Sequence, residues 1–482
     1  MGKHPRGIPA SGAVWGGPSR YSPDPKFGWK GVSVPGRVWT RGRGVQVLVA
    51  LVVGPLALGV LLSLVARPWM SSARGGGAGW EGEVPKEMGL AGRRDVGARV
   101  SAFGFDLVRH GWREGGRAGN VVVSGPSVAT ALGLAATGTT PGGEAGGELM
   151  RAMRLPLAYA DGRAAYADAL GLGEEGRAEA VQGATLVHAT GAWVSGEVRS
   201  WFVDEARRGF GADVGALVGG REGARQINAW VESRTVGLIK DLVDTVDERA
   251  VAALVSAVYF KGSWTQKFDA GNTRDGTWTG LDGQARPARM MHRQVKSSEE
   301  LSAVKVSARW AELPGIGGMA ELSYGTGGRF RCLMVLPAKP GADALDHVVR
   351  ALTPEKVGTW SGLLRVNDLA LSMPRFRVEW GVHDLIDALR DLGVSEAFDG
   401  HGAFLGMIDD PSVVIGSVLH KAAMEVNEEG TEAAAATAVL MMRSSMVEPI
   451  AVAFDRPFVM MVQDALSEAV LFAAVITDPT LT

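Results

Sequence analysis

A chain of 482 residues with 46% apolar content is longer than one average domain and can bury a large core. Its net charge of −2 excludes a global basic field for nucleic acid, so no nucleic-acid partner is expected. A lone cysteine, Cys332, excludes an intrachain disulfide, and the 67 glycines follow no collagen-like period and read as loop content.

The first 44 residues form a basic tail with Lys3, Arg6, Arg20, Lys26, Lys30, Arg37, Arg41 and Arg43 against one acid, Asp24. Residues 45–66 then carry no charge, and Arg43 and Arg67 bracket them. At about 1.5 Å per residue such a helix roughly matches a ~30 Å hydrocarbon core. Segment 45–67 is therefore read as a transmembrane helix and signal anchor. The basic tail would stay cytoplasmic and the large domain would lie outside or in a lumen. A secreted chain, cleaved near Ser71-Ser72-Ala73, is the alternative, although the apolar run exceeds the usual ~7–15 residues. A buried core helix is a third reading. Residues 68–95, with Gly75-Gly76-Gly77, read as a linker.

Globular patterning starts near Val96. Phe103, Leu107, Val108 and Trp112 recur at helical spacing, Val121-Val-Val123 is a short β-branched run, and residues 127–136 suggest a helix. Residues 157–225 are Ala/Gly-rich and carry no clear period. Ile227, Trp230, Val231, Val236 and Ile239 predict another amphipathic helix. Residues 251–260 and 332–336 read as buried strands, and residues 457–461 and 470–476 as a hairpin. Long helices mixed with many strands predict one large α+β domain over residues 96–480.

Catalytic chemistry is hard to place on this chain. No HExxH, P-loop or GxSxG motif occurs, and the histidines are scattered. Cys332 lies in an apolar run, which favours a core role over a nucleophile. The chain is read as a non-enzyme that needs no metal or cofactor.

The sharpest segment is Asn427-Glu-Glu-Gly-Thr-Glu-Ala-Ala-Ala-Ala-Thr-Ala-Val439. An exposed Ala-rich helix would suit its propensity. With a strand's period of two, however, Thr431, Ala433, Ala435, Thr437 and Val439 share one face, and all are small or β-branched. Glu432 falls on the other face. Such a segment can stay exposed and later enter the middle of a sheet.

These residues resemble the hinge of an inhibitory serpin's reactive-centre loop: Glu428, Glu429, Gly430, Thr431, Glu432, Ala433, Ala434, Ala435 and Ala436. The resemblance extends through Asn228-Ala-Trp-Val-Glu-Ser-Arg-Thr-Val-Gly237, Leu254-Val-Ser-Ala-Val-Tyr-Phe-Lys-Gly-Ser-Trp264, Met373-Pro-Arg-Phe-Arg377, Leu419-His-Lys-Ala422 and Phe454-Asp-Arg-Pro-Phe458. It implies a serpin fold with three β-sheets, eight to nine helices and an exposed loop over residues 428–453. It also implies a single-use trap in which the cleaved loop inserts into the central sheet while a protease is held as an acyl-enzyme. About fourteen newly paired residues at ~1 kcal/mol each would give a gain on the order of 10 kcal/mol.

By the same resemblance Ser124, Ser127, Ser256 and His420 belong to the region where the sheet opens. Trp264, Arg375 and Glu428 would lie where the loop enters, with an Arg375–Glu428 ion pair. Three departures stand out: Ser256 replaces a usual Asn, Ser124-Gly-Pro-Ser127 displaces a proline by one, and Ala474 replaces a common glycine. Counting along the loop gives either Ser444-Ser445 or Arg443-Ser444 as the scissile bond. Chemistry prefers Arg443, which an acidic specificity pocket would bind by a charge-assisted fork. The expected partner is a trypsin-like serine protease or an Arg-preferring cysteine protease. A non-inhibitory serpin with a binding or chaperone-like role is the alternative.

Overall fold

The computed structural model describes residues 89–156, 184–248, 250–302, 306–325, 328–428 and 448–480. The expected tail and transmembrane segment (1–44 and 45–67) lie outside these residues. Among the described residues no helix is long and apolar enough to cross a membrane.

Helix α1 (Leu90–Glu114) starts ahead of Val96, inside the segment read as a linker. Its 3.6-residue period buries Phe103, Leu107, Val108 and Trp112 completely or nearly so. Strand β1 (Val121–Val123) follows, then helix α2 (Gly125–Thr137). Ser124 caps α2 by accepting the Ser127 backbone N–H. The helices α1 and α2 cross at Gly104 and Gly125. A Cβ added at Gly125 would lie 2.7 Å from the Gly104 Cα and 2.8 Å from the Val100 carbonyl. That contact explains the displaced proline: position 125 has no room for a ring here, whereas Pro126 occupies the first turn, where a missing N–H costs nothing.

Three sheets organise the rest. The six-stranded sheet has the order β1-β15-β14-β9-β8-β7, with β7 (Ala308–Leu313), β8 (Gly317–Ser323), β9 (Phe330–Pro337), β14 (Phe458–Asp464) and β15 (Val470–Ile476). Every pair in it is antiparallel, including the expected C-terminal hairpin. Cys332 is fully buried in β9, and burial pushes its thiol up to about 12, as suits a core residue. A four-stranded sheet runs β13-β10-β6-β5, from β5 (Arg274–Thr279), β6 (Ala285–Val295), β10 (Leu369–Pro374) and β13 (Ile450–Ala453). The third sheet runs β11-β12-β4-β2-β3, from β2 (Ala184–Val194), β3 (Asp213–Ala216), β4 (Ala252–Gly262), β11 (Phe376–Asp384) and β12 (Ile415–Val426).

Several boundaries differ from expectation. Ten α-helices lie among the described residues rather than the eight to nine that the resemblance implied, short ones such as Ile386–Asp391 and Glu396–Asp399 included. Helix α5, Gly220–Arg234 (after Glu144–Ala152 and Ser200–Phe210 as α3 and α4), ends before Val236. There the Thr235 hydroxyl turns back to the Val231 carbonyl and accepts the Ile239 N–H. Val236 is left at φ 53° and 80% exposed, while Ile239 is buried. Strand β13 begins at Ile450, so the end of the expected loop 428–453 belongs to a sheet, paired in parallel with β10.

Candidate functional site

The site is the seam between β4 and β12. Both strands are almost wholly buried, and their register runs from Val418 opposite Leu254 to Glu425 opposite Lys261. The pairing is parallel, whereas each strand pairs antiparallel with its other neighbour, β2 or β11. The chain leaves β12 at Val426 and re-enters a sheet at Ile450. A segment folding back directly after β12 into this seam would run antiparallel to both strands. It would replace one parallel ladder, the slightly weaker kind, with two antiparallel ones.

Polar groups cross the seam at its middle. His420 and Ser256 stand opposite each other in register, and both are buried. The Nε2 of His420 accepts the backbone N–H of Ser124 at 3.2 Å. An amide N–H only donates, so the ring proton sits on Nδ1, which donates to the Ser256 carbonyl at 3.1 Å. The Ser256 hydroxyl lies 3.3 Å from that nitrogen and 2.7 Å from the Ser127 hydroxyl. His420 thus ties β12 to β4 and to the capped start of α2. The serine at 256 completes the network with Ser127 despite its short side chain.

At the end of the seam nearest the loop, Trp264 is buried and donates its indole N–H to the Asn427 carbonyl at 2.8 Å. Its ring stacks on Tyr324 with centroids 4.5 Å apart and meets Phe268 edge-on. Arg375 lies 3.5 Å from the carboxylate of Glu428, whose side chain is only 7% exposed. The structure therefore brings Ser124, Ser127, Ser256 and His420 together at mid-seam, and Trp264, Arg375 and Glu428 around the exit of β12. Residues 429–436, Arg443, Ser444 and Ser445 lie outside the described residues.

Sequence reasoning missed a third group. On the face opposite His420, the Glu425 carboxylate receives Lys261, Tyr259 and Asn427, each at 2.8 Å. The available signal was a charged residue near the end of each of two mostly apolar strands, since a half-buried charge calls for a partner. Among the described residues no group of three or more His, Cys, Asp or Glu side chains could hold a metal ion.

A three-sheet α+β domain, one of whose sheets is closed by a parallel seam at the point where the chain leaves β12, defines the class of protein. Residues 98–479 match the family described as Serpin (serine protease inhibitor). Serpin-ZX from Hordeum vulgare is 32% identical over 395 residues, covering 76% of this chain and 91% of that protein. Corticosteroid-binding globulin from Pongo abelii is 32% identical over 257 residues, covering 53% and 59%. The solved structure of native protease nexin-1 with heparin superposes with a TM-score of 0.67 at 21% identity, over 80% of this chain and 99% of that one. The chain belongs to the serpin family, whose members are mostly protease inhibitors rather than catalysts, with some non-inhibitory members.

Proposed function

We propose that the chain is a suicide-substrate inhibitor of a trypsin-like serine protease, or of an Arg-preferring cysteine protease. The observation that carries this reading is the closed parallel seam. Its open end lies where β12 gives way to a segment with one face of small and β-branched residues. A target protease attacks the carbonyl carbon of Arg443 with its own nucleophile. The amine of Ser444 leaves with a proton, and the remaining ester or thioester links the two proteins. The freed segment then enters the seam between β4 and β12 and carries the protease with it. Displacing catalytic groups by about 1 Å slows deacylation ~100-fold. Glu428 through Ala436 act as the hinge, and Ser444-Ser445 is the alternative bond. The apolar run 45–67 is read as a membrane anchor, with the serpin domain extracellular or lumenal.

Incubation with a small protease panel, followed by a denaturing gel, tests the reading. A gel-resistant adduct with an Arg-specific protease is expected, and mass spectrometry should place the cut after Arg443. Clean cleavage with no adduct by any protease would favour a non-inhibitory binding role instead. That second reading has the likeness to corticosteroid-binding globulin in its favour.

A further inference from the structure

Strands β4 and β12 are built for burial, yet each carries a polar side chain near the loop end whose cost must be met. Glu425 stands directly opposite Lys261, and Ala423 opposite Tyr259. With a period of two these four residues share the face opposite His420 and Ser256. The small Ala423 side chain leaves the Tyr259 ring room to lean across the seam. The Lys261 ammonium reaches one Glu425 oxygen at 2.8 Å, and the Tyr259 hydroxyl donates to the other at 2.8 Å. Asn427, beyond the end of β12, donates to the first oxygen. Two of the three donors thus come from the opposite side of the seam.

The surroundings hold this arrangement in place. Arg377 of β11 lies over the Tyr259 ring at 5.7 Å, pairs with Glu379, and donates to the Leu238 carbonyl. Lys421 of β12 pairs with Glu379 and donates to the Lys240 carbonyl. The charged and titratable groups around Glu425 are therefore Tyr259 and Lys261 from β4, Arg377 and Glu379 from β11, and Lys421 from its own strand. Burial pushes the Glu425 carboxyl up, but the hydrogen bonds from Lys261 and Tyr259 outweigh it, and the group sits below its ordinary range.

We propose that Glu425 is a positioning residue that clasps β12 to β4 through Lys261 and Tyr259 and sets how fast the central sheet opens to a strand. The proposal rests on the inhibitory reading for its purpose but not for its test. Neighbouring strands lie ~4.8 Å apart, so admitting one more strand moves β4 and β12 to about 9.6 Å. The three-donor geometry exists in the closed sheet alone. It holds back opening without stabilising the inserted product. Losing a charge-assisted bond of this kind is worth about tenfold in rate.

Full-length protein carrying Glu425→Gln, Lys261→Met or both tests this in two ways. The first is amide hydrogen exchange in β4 and β12, with β14 as the internal control. The second is the rate at which a synthetic peptide of residues 431–439 anneals, with the melting point of the filled form. Each single variant should exchange about tenfold faster in the seam, and bind peptide about tenfold faster, with β14 unchanged. The double variant should be no faster than either single one, and the filled forms should melt together. Unchanged seam exchange overturns the clasp, as does equal acceleration in β14, additive effects in the double variant, or an equal loss in the filled form. If the wild type traps proteases while the variants exchange like it, the clasp falls and the inhibitory reading stands. If seam exchange responds but no protease is trapped, the clasp stands and that reading falls.

Discussion

The β14–β15 hairpin and the β4–β12 seam are both buried strand pairs, but they are put together differently. In the hairpin the pairing is antiparallel, and Phe458, Met460, Val462, Phe472 and Ala474 are all fully buried. Ala474 fits there without a glycine's freedom, so that departure from the family pattern leaves the pairing intact. In the seam the pairing is parallel, and the groups that cross it are polar: His420 to Ser256 on one face, Glu425 to Lys261 and Tyr259 on the other. Apolar interdigitation has no natural point of parting, whereas hydrogen bonds can be exchanged for others as a strand enters. Under the proposed function, the hairpin persists and the seam is the place that parts.

The largest way to break this contrast is Thr431→Arg. A charge forced into the open end of the seam without a partner costs about 3–5 kcal/mol. That is over a hundredfold in the rate of insertion. The variant should be cut as a substrate with no adduct on a denaturing gel, and retained trapping would remove the seam's role. In the hairpin, Phe472→Ala should cost about 3–5 kcal/mol by denaturant unfolding, in uncut and cut protein alike. A loss confined to one form would show that the two regions are not independent.

His420→Ala sharpens the contrast from the seam side. It strands the Ser124 N–H in a buried site, at about 1–3 kcal/mol. The loss should appear chiefly in the closed form and speed peptide annealing. The smallest effect concerns pH. The Glu425 carboxyl is held below its ordinary value of 4.5, with burial opposed by the Lys261 and Tyr259 bonds. Its contribution to the closed form is therefore complete above pH 4.5 and is lost as pH falls through the lower folded value. The stability gap between wild type and Glu425→Gln should be full near neutrality and shrink below pH 4. A gap that widened in acid would contradict the sign.

How much of this could be read from the chain alone follows from what local pattern records. The apolar runs of β4, β9, β14 and β15 were visible, and so was the helical stretch of α2, while its crossing of α1 at Gly104 and Gly125 was not. Pairing partners were not. Nothing in a period of two says that residue 261 meets residue 425, because that register is set by packing between strands far apart in sequence. His420 was placed at the seam by resemblance, while the bond geometry that ties it to Ser124 and Ser256 needed the fold. Strand β2 lay in a stretch read as Ala/Gly-rich, and consecutive residues 188–192 are all buried, so no alternation of apolar and polar residues marks it. The end of α5 was misjudged because Val236 and Ile239 keep helical spacing, although the helix stops just before them at Thr235.

The central claim is tested most directly by thermal unfolding of the same protein before and after a single cut within residues 437–447. If the closed seam accepts the freed segment, a gain on the order of 10 kcal/mol should raise the midpoint by about 10 °C or more. A midpoint that stays put or falls after complete cleavage would contradict the account.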